Sequence, residues 1–255
     1  KNEQNLGFKK NFEKAIGLCT GDYIALSDQD DVWLENHLSL LIEKLGNYSI
    51  AVGNCRMIDS FGNDLNQKLN ENEGLYYFKN GSQKFLYRFL LKSNCLQGAS
   101  MLMHASFAKS CIPIPEKVLF HDAWFAACAC MENGINYSFD VINKYRQHGN
   151  NVTFLSHNSD TRSLFQRLSS KFNVVLQGAK TDRFYYIEEL KKRYGTSNDD
   201  FNEIAEIVSH IQKKKVSLKD IKSIWNNYYY ITTQKNHKHF LKNLLIWLRW
   251  KNFND

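Results

Sequence analysis

Short apolar runs alternate with helical patterns along the first 154 residues of the chain. Residues 23–26 are apolar and follow the turn signal Thr20-Gly21-Asp22, which predicts a short strand. Apolar residues recur at helical spacing before this strand, over 8–16, and after it, over 34–45. Strands that alternate with helices in this way predict an α/β fold with a sheet at its centre.

The same pattern continues along the chain. The further elements that it predicts are strands over 49–55, 96–103 and 135–139 and helices over 85–90 and 123–131. The polar stretch 60–80 is rich in Asn and Gly, and it is predicted to be a loop. Beyond residue 154 the strand signals thin out and helical patterns dominate. We therefore divide the chain into an α/β domain, 1–154, and a mainly helical, basic C-terminal region, 155–255.

Three carboxylates fall within four residues directly after the first predicted strand: Asp28, Asp30 and Asp31. In an open α/β sheet, ligands bind at the carboxyl ends of the strands. Clustered carboxylates repel one another, so a cation would stabilise them. Hard oxygen ligands on a short loop suit Mg²⁺ or Mn²⁺, which can hold the phosphates of a nucleotide. The alternative is a solvated acidic turn in which Asp31 caps the next helix.

The net charge of +7 is concentrated in the C-terminal region. Residues 1–154 carry 15 basic and 16 acidic side chains, whereas residues 155–255 carry 18 and 10. This excess suits an acidic partner surface, although a solvated basic helix surface explains it equally well. The 43% of hydrophobic residues are ample for a packed core.

The six cysteines include no Cys-x-x-Cys pair and mostly sit among apolar residues. This predicts free, buried thiols in a reducing compartment. Cys128 and Cys130 lie two apart on a predicted helix and point to different faces, so we expect no zinc site. No apolar run approaches the roughly 20 residues of a membrane-spanning helix. We therefore expect a cytoplasmic protein.

Four motifs, in order along the chain, resemble those of family 2 glycosyltransferases, the nucleotide-sugar-dependent enzymes of the GT-A fold. They are Asn5-Leu6-Gly7 with Gly21-Asp22-Tyr23-Ile24, the acidic stretch 27–33, His121-Asp122-Ala123-Trp124, and Tyr145-Arg146-Gln147-His148-Gly149-Asn150. Within the family, the chain is most similar to bacterial rhamnosyltransferase-like enzymes of surface-polysaccharide assembly. The resemblance covers roughly residues 1–154.

The resemblance implies a role for each matching position. It implies metal ligands at Asp28, Asp30 and His148, donor-diphosphate contacts at Asn5, Gly7, Asp28 and Arg146, acceptor contacts at Gln97, Gly98, His121 and Trp124, and a catalytic base at Asp122. The implied cofactor is Mn²⁺ or Mg²⁺. Three positions keep an alternative: Trp124 as core packing, His148 as a capped loop histidine, and Arg146 as the partner of a carboxylate.

The resemblance also implies that an opening unit is missing. The family normally begins with a strand–helix–strand unit that holds the nucleotide base, and nothing before Asn5 supplies it. We therefore expect an N-terminally truncated GT-A domain whose sheet has an exposed edge at the strand 22–27.

The implied function is metal-dependent, inverting transfer of a sugar from a nucleotide-diphosphate sugar. The expected acceptor is a hydroxyl of a growing cell-surface polysaccharide or a lipid-linked glycan, and no nucleic-acid partner is expected. Two alternatives stay open. One is a metal-dependent phosphohydrolase that uses the same acidic cluster, and the other is an inert carbohydrate-binding fragment.

Residues 238–253 mix apolar bulk, tryptophan and basic charge in one predicted helix. This mixture fits an interfacial helix on anionic lipid, which would hold the protein peripherally at the inner face of the cytoplasmic membrane. Packing against the catalytic domain is the competing interpretation, because the apolar residues spread widely around the helix.

Overall fold

The computed structural model describes residues 2–69, 85–91, 94–148, 182–213 and 215–227. The helices are α1 (Gly7–Leu18), α2 (His37–Leu45), α3 (Phe85–Leu91), α4 (Ala105–Ser110), α5 (His121–Met131), α6 (Asp182–Tyr194), α7 (Asp199–Gln212) and α8 (Leu218–Asn226). The strands are β1 (Tyr23–Ala25), β2 (Val32–Trp33), β3 (Ile50–Ile58), β4 (Asp64–Lys68), β5 (Met101–His104) and β6 (Ile135–Arg146). A 3₁₀ turn, Gly98–Ser100, leads into β5.

The strands form one mixed sheet in the order β1–β5–β3–β6–β2, with β4 added to β3. β3 and β6 run parallel, from the pair Ile50 and Ile135 to the pair Ile58 and Arg146. The other pairings are antiparallel. Within the described residues β1 pairs only with β5, so the strand 22–27 lies at an edge of the sheet, as expected. The absence of further strands beyond this edge stays a prediction.

Successive residues of the central strands face two hydrophobic clusters, one on each side of the sheet. Ile50 and Val52 of β3 belong to the larger cluster, and Ala51 belongs to the smaller one, which α2 covers. Gly53 lies where β3 comes closest to β6. A Cβ at this glycine would lie 2.4 Å from the Ile142 side chain, so the close approach of the two strands requires glycine here.

The described C-terminal helices share the larger cluster with the α/β region. α6 packs against α3 and α5, and α7 packs against α3. Tyr186 and Phe201 therefore lie in the same core as Ile24 of β1. The helical character predicted for the C-terminal region is confirmed for α6 to α8. The boundary at residue 154 lies outside the described residues and stays a prediction.

Side chains of α1 form hydrogen bonds with the backbone of the loop that precedes α5. Lys9 Nζ donates to the carbonyl of Val118 at 2.8 Å and to the carbonyl of Glu116. Glu13 accepts the backbone N–H of Ile114 at 2.7 Å. Because Lys9 and Glu13 are four residues apart, they share one face of α1. This face fixes the chain that leads into α5.

Several element boundaries differ from the prediction. The stretch 60–80, predicted as a loop, contains β4, whose mostly polar residues carry no alternating pattern. β2 separates α2 from the loop that carries Asp28, Asp30 and Asp31, here called the acidic loop. Asn36 rather than Asp31 is the N-cap of α2. The strand predicted over 96–103 begins only at Met101, because the preceding residues form the 3₁₀ turn. β3 and β6 extend beyond their predicted ends because they pair with each other along their length.

The prediction of free and mostly buried thiols is confirmed, since all six thiols are free and five of them are buried. The reducing compartment stays a prediction. In the part of the chain that the structure describes, no helix is long and apolar enough to cross a bilayer. Residues 238–253 lie outside the described residues, so the interfacial helix stays a prediction.

Candidate active site

A cavity of about 1170 Å³ lies where the acidic loop, the 3₁₀ turn and the start of α5 meet. The predicted site residues that line it are Asn5, Gly7, Asp28, Asp30, Gln97, Gly98, His121, Asp122 and His148. The structure thus brings together residues that are more than a hundred positions apart in sequence. Trp124 and Arg146 are the two predicted site residues that lie outside the cavity lining.

The carboxylates of the acidic loop have two different surroundings. Asp28 and Asp30 line the cavity. Asp31 is held by the protein instead, because its carboxylate accepts Nε2–H of Gln97 at 2.7 Å and the backbone N–H of Arg146 at 3.0 Å. Two carboxylates are therefore placed to meet a ligand, and the third joins the loop to β6 and to the 3₁₀ turn.

Burial and the charges of neighbouring carboxylates disfavour the ionised forms of Asp28 and Asp31. Burial raises the pKa of Asp28, and the charge on Asp30 raises it further. Burial also raises the pKa of Asp31 to about 7, although the bonds from Arg146 and Gln97 oppose this shift. A cation at the loop would offset both the repulsion and the loss of solvation.

His148 lies beside the acidic loop, with its Nε2 atom 2.8 Å from Oδ2 of Asp30. Among the residues described, no three His, Cys, Asp or Glu side chains form a ready metal cage. Magnesium-type sites commonly use one or two carboxylates and complete the shell with substrate phosphates and water. Asp28, Asp30 and His148 fit a metal bound in that shared way, and their ligand roles stay a prediction.

The side chain of Arg146 is bonded to the backbone of the acidic loop and of the turn between β3 and β4. Its Nε donates to the backbone carbonyl of Asp30 at 2.8 Å, and Nη1 donates to the carbonyl of Ser60 at 3.2 Å. The guanidinium thus holds the acidic loop against the turn between β3 and β4 and lies outside the cavity lining. The guanidinium is thus bonded to backbone carbonyls, and the diphosphate contact of Arg146 stays a prediction.

Asp122 is the second residue of α5 and also lines the cavity. Its Oδ1 accepts the backbone N–H of Ala123 at 2.7 Å, which fixes the carboxylate with a free amide of the helix start. Burial raises the pKa of Asp122 to about 6, and hydrogen bonds from Ala123 and Asn94 only partly oppose this. The charge on Asp28 raises it further. A carboxylate with this pKa suits a general base near neutral pH.

His121 and Gly98 pack around Asp122. A Cβ at Gly98 would lie 3.3 Å from Cβ of Asp122 and 3.3 Å from Nε2 of His121, so this glycine lets the 3₁₀ turn reach α5. His121 stacks on Phe12 with ring centroids 4.0 Å apart. Burial lowers the pKa of His121 to about 4, so the imidazole is neutral at pH 7. The acceptor contacts of His121, Gly98 and Gln97 stay predictions.

Asn5 and Gly7 form the turn that begins α1. Oδ1 of Asn5 accepts the backbone N–H of Gly7 at 2.8 Å. Gly7 has φ of +72°, a conformation that glycine adopts without steric cost. This turn places both residues in the cavity wall. Their donor contacts stay predictions.

Trp124 is a core residue, so its predicted contact with the acceptor is wrong. Its side chain is fully buried, and Nε1–H donates to the carbonyl of Cys111 at 2.9 Å. The guanidinium of Arg193 in α6 lies 5.6 Å from its ring. Trp124 points away from the cavity because α5 is covered on this side by the C-terminal helices. The alternative of core packing is the one that the structure supports.

Trp124→Phe should destabilise the protein without changing acceptor affinity. The smaller ring leaves a void and leaves the carbonyl of Cys111 without its donor, which together should cost about 2–4 kcal/mol. Denaturant unfolding measures the loss, and the acceptor KM provides the comparison. Unchanged stability with a raised acceptor KM would return Trp124 to the acceptor site.

The C-terminal region forms part of the cavity wall, which the sequence did not indicate. Arg183 and Tyr186 of α6 both line the cavity. Tyr186 is held there by a bond from its hydroxyl to the carbonyl of Phe120, at 3.5 Å, and Arg183 donates to the carbonyl of Phe89. The sequence predicts only that helices dominate this region, and no sequence signal shows which of its residues reach the site.

Comparison with known proteins agrees with this geometry. The sequence model of glycosyl transferase family 2 matches residues 1–110. An uncharacterized glycosyltransferase of Methanocaldococcus jannaschii is 26% identical over 150 residues, which cover 57% of this chain and 47% of that protein. The match therefore spans about half of the length of this relative. Both findings indicate similarity to glycosyltransferases, and the first indicates family 2 over residues 1–110.

The predicted fold class is confirmed. A mixed sheet with helices on both faces, followed by a helical C-terminal region, is consistent with the GT-A fold of the family that matches residues 1–110. The acidic loop follows β1 at its carboxyl end, where this class of fold places its ligands.

Proposed function

We propose that this chain, whose first 110 residues match glycosyl transferase family 2, transfers a sugar from a nucleotide-diphosphate sugar to an acceptor hydroxyl with inversion. One observation carries the proposal. The cavity has two separate carboxylate sites, the acidic loop with Asp28 and Asp30 and the start of α5 with Asp122. The first suits a cation with a diphosphate, and the second suits removal of a proton from the acceptor.

The residues of the chain divide the reaction between the two sides of the cavity. A Mg²⁺ or Mn²⁺ ion held by Asp28, Asp30 and His148 would neutralise charge on the departing diphosphate. Asp122 accepts the proton of the acceptor hydroxyl while that oxygen attacks the anomeric carbon. The bond from this carbon to the diphosphate oxygen breaks as the new bond forms, and the leaving oxygen keeps the electron pair. A single displacement from the opposite face inverts the anomeric configuration.

The position of Asp122 supports its role as the base. The bond from the Ala123 amide holds the carboxylate still, which favours a reactive geometry over a mobile one. The neutral ring of His121 and the apolar rings of Phe8 and Phe12 form the neighbouring wall, so little water competes for the proton. The acceptor we propose is a glycan or a lipid-linked glycan of a growing polysaccharide.

A screen for transfer tests the function on the full-length protein. Sugars linked to UDP, GDP and dTDP are incubated with Mn²⁺ and with methyl glycosides of common hexoses, and release of the nucleoside diphosphate is measured. We expect release that depends on one sugar donor and rises with one acceptor. Phosphate release from p-nitrophenyl phosphate, without any sugar transfer, would indicate a phosphohydrolase instead. Binding of sugar without turnover would indicate a carbohydrate-binding fragment.

We propose a finer setting from the four motifs together, which resemble those of bacterial rhamnosyltransferase-like enzymes. The donor is then a hexosyl or rhamnosyl nucleotide, and the product is part of a cell-surface polysaccharide. The protein would work at the inner face of the cytoplasmic membrane, since the basic residues of 238–253 suit anionic lipid.

Removal of residues 238–255 should abolish sedimentation with vesicles that contain anionic phosphatidylglycerol. Each basic residue near such a surface contributes about 1 kcal/mol, so loss of this segment should be easily measured. Vesicles of neutral phosphatidylcholine are the control. Equal sedimentation of the shortened and the complete chain would contradict the membrane contact.

A further inference from the structure

A partly buried polar network extends from the cavity wall into the protein and is centred on Gln97, which itself lines the cavity. Its Nε2–H donates to Asp31 at 2.7 Å. Its Oε1 accepts the hydroxyl of Ser100 at 3.1 Å, lies 3.4 Å from Nδ2 of Asn143, and also accepts the thiol of Cys55. Both ends of the Gln97 amide are therefore satisfied by the protein, which gives this side chain one orientation.

The network connects the two carboxylate sites of the cavity. On one side, Asp31 is adjacent in sequence to Asp30 and also accepts the backbone N–H of Arg146. On the other side, Gly98 follows Gln97, and its missing Cβ lets the turn lie against Asp122. The bond between Asp31 and Gln97, followed by the contact of Gly98 with Asp122, thus connects the acidic loop with the start of α5.

We propose that the hydrogen bond between Asp31 and Gln97 is a spacer that sets the distance between the diphosphate side and the base side of the cavity. Asp31 and Gln97 are positioning residues, and neither needs to touch the metal or the acceptor. This inference rests on the proposed function. A displacement of about 1 Å between reacting groups can cost about 10²-fold in rate, so a spacer at this point has a large effect on turnover.

The surroundings of the pair allow the carboxylate and the amide to be exchanged. Gln97→Glu alone sets a second carboxylate against Asp31, and the two repel. Asp31→Asn in the same chain removes the repulsion, because its amide can donate to the new carboxylate while its oxygen still accepts from Arg146. The other oxygen of the introduced carboxylate still faces the donors of Ser100 and Asn143. The exchanged pair has the same total charge as the natural pair.

The test measures turnover, Mn²⁺ affinity and thermal stability in four forms of the full-length protein. They are the wild type, Gln97→Glu, Gln97→Glu with Asp31→Asn, and Gln97→Met. We expect kcat to fall about 10²-fold in Gln97→Glu and to recover at least tenfold on addition of Asp31→Asn. Gln97→Met removes the bond without adding charge. It should lower kcat while Mn²⁺ affinity, measured by electron paramagnetic resonance, stays within about twofold.

The outcomes separate this inference from the proposed function. A double variant no better than Gln97→Glu, in kcat or in folded yield, overturns the spacer, because direct metal ligation by Asp31 would not be rescued by the exchange. Rescue of folding by Asp31→Asn supports it even when Gln97→Glu is insoluble. A wild type without sugar transfer defeats the proposed function. Thermal stability then decides alone, and a double variant no more stable than Gln97→Glu overturns the spacer.

Discussion

Asp122→Asn should lower kcat about 10²–10⁴-fold while Mn²⁺ and donor binding stay intact. Loss of a general base typically costs this much, and asparagine keeps the shape of the side chain while removing its basicity. Asp122 belongs to α5 rather than to the acidic loop and is not a proposed metal ligand, so its replacement by asparagine should leave donor binding in place. Steady-state rates at saturating donor, with calorimetric binding of Mn²⁺ and nucleoside diphosphate, measure the two effects separately.

The pH dependence of kcat/KM in the wild type and in Asp122→Asn gives an independent check. Since burial raises the pKa of Asp122 to about 6, the wild-type kcat/KM should rise as the pH increases through about 6 and should fall below it as the carboxylate takes up a proton. Asp122→Asn should lack this rise. Asp199→Asn is the matched control, because Asp199 is also in the first turn of a helix but is exposed in α7. Near-normal turnover of Asp122→Asn would move the base to another group, and His121 is the next one to test.

Asp30→Asn should fail in a different way, by weakening Mn²⁺ and diphosphate binding about 10–100-fold. Removal of a residue that only supports a metal ligand typically lowers metal affinity by this factor. Asp30 lines the cavity and contacts His148, so its removal should have a comparable effect. The variant should regain part of its rate at high Mn²⁺, because added ion drives a weakened site toward occupancy. Titration of Mn²⁺ at fixed donor measures both the loss and the recovery.

Two further variants make this result specific. His148→Gln should resemble Asp30→Asn if both side chains bind the ion. Asp64→Asn is the control for loss of a carboxylate. Asp64 of β4 forms an ion pair with Arg56 of β3 and lies outside the cavity lining. Loss of turnover in Asp30→Asn that high Mn²⁺ does not improve, with normal ion affinity, would argue against the metal site.

Local sequence patterns predicted the parts of the site that local structure determines. The apolar run before Asp28 placed the acidic loop at the end of a strand, and the helical pattern after Asp122 placed this residue at a helix start. The direction of the pKa shift of Asp122 could not be decided from the sequence, because free helix amides lower the pKa and burial raises it. In the structure, burial outweighs the amide bonds.

Contacts between distant segments could not be predicted. Gln97 and Asp31 are 66 residues apart, and their bond depends on how β5 and the acidic loop come together in the sheet. The same holds for Arg146. Its motif position implied a diphosphate contact, whereas its guanidinium donates to the carbonyl of Ser60 in the turn between β3 and β4. Trp124 was misplaced because a motif does not show which side of α5 the C-terminal helices cover.

The packing of α6 against α3 and α5, and of α7 against α3, limits how the C-terminal helices of this protein can be exchanged with those of related proteins. The side chains of these helices complete one core, so the helices cannot be exchanged as an independent module. A chimera that takes only residues 182–227 from a divergent relative would set mismatched surfaces against α3 and α5, with a cost of about 1–3 kcal/mol for each badly fitted side chain. Viable chimeras should carry α3, α5 and the C-terminal helices together, and natural variation in acceptor choice should follow these helices as one inherited block.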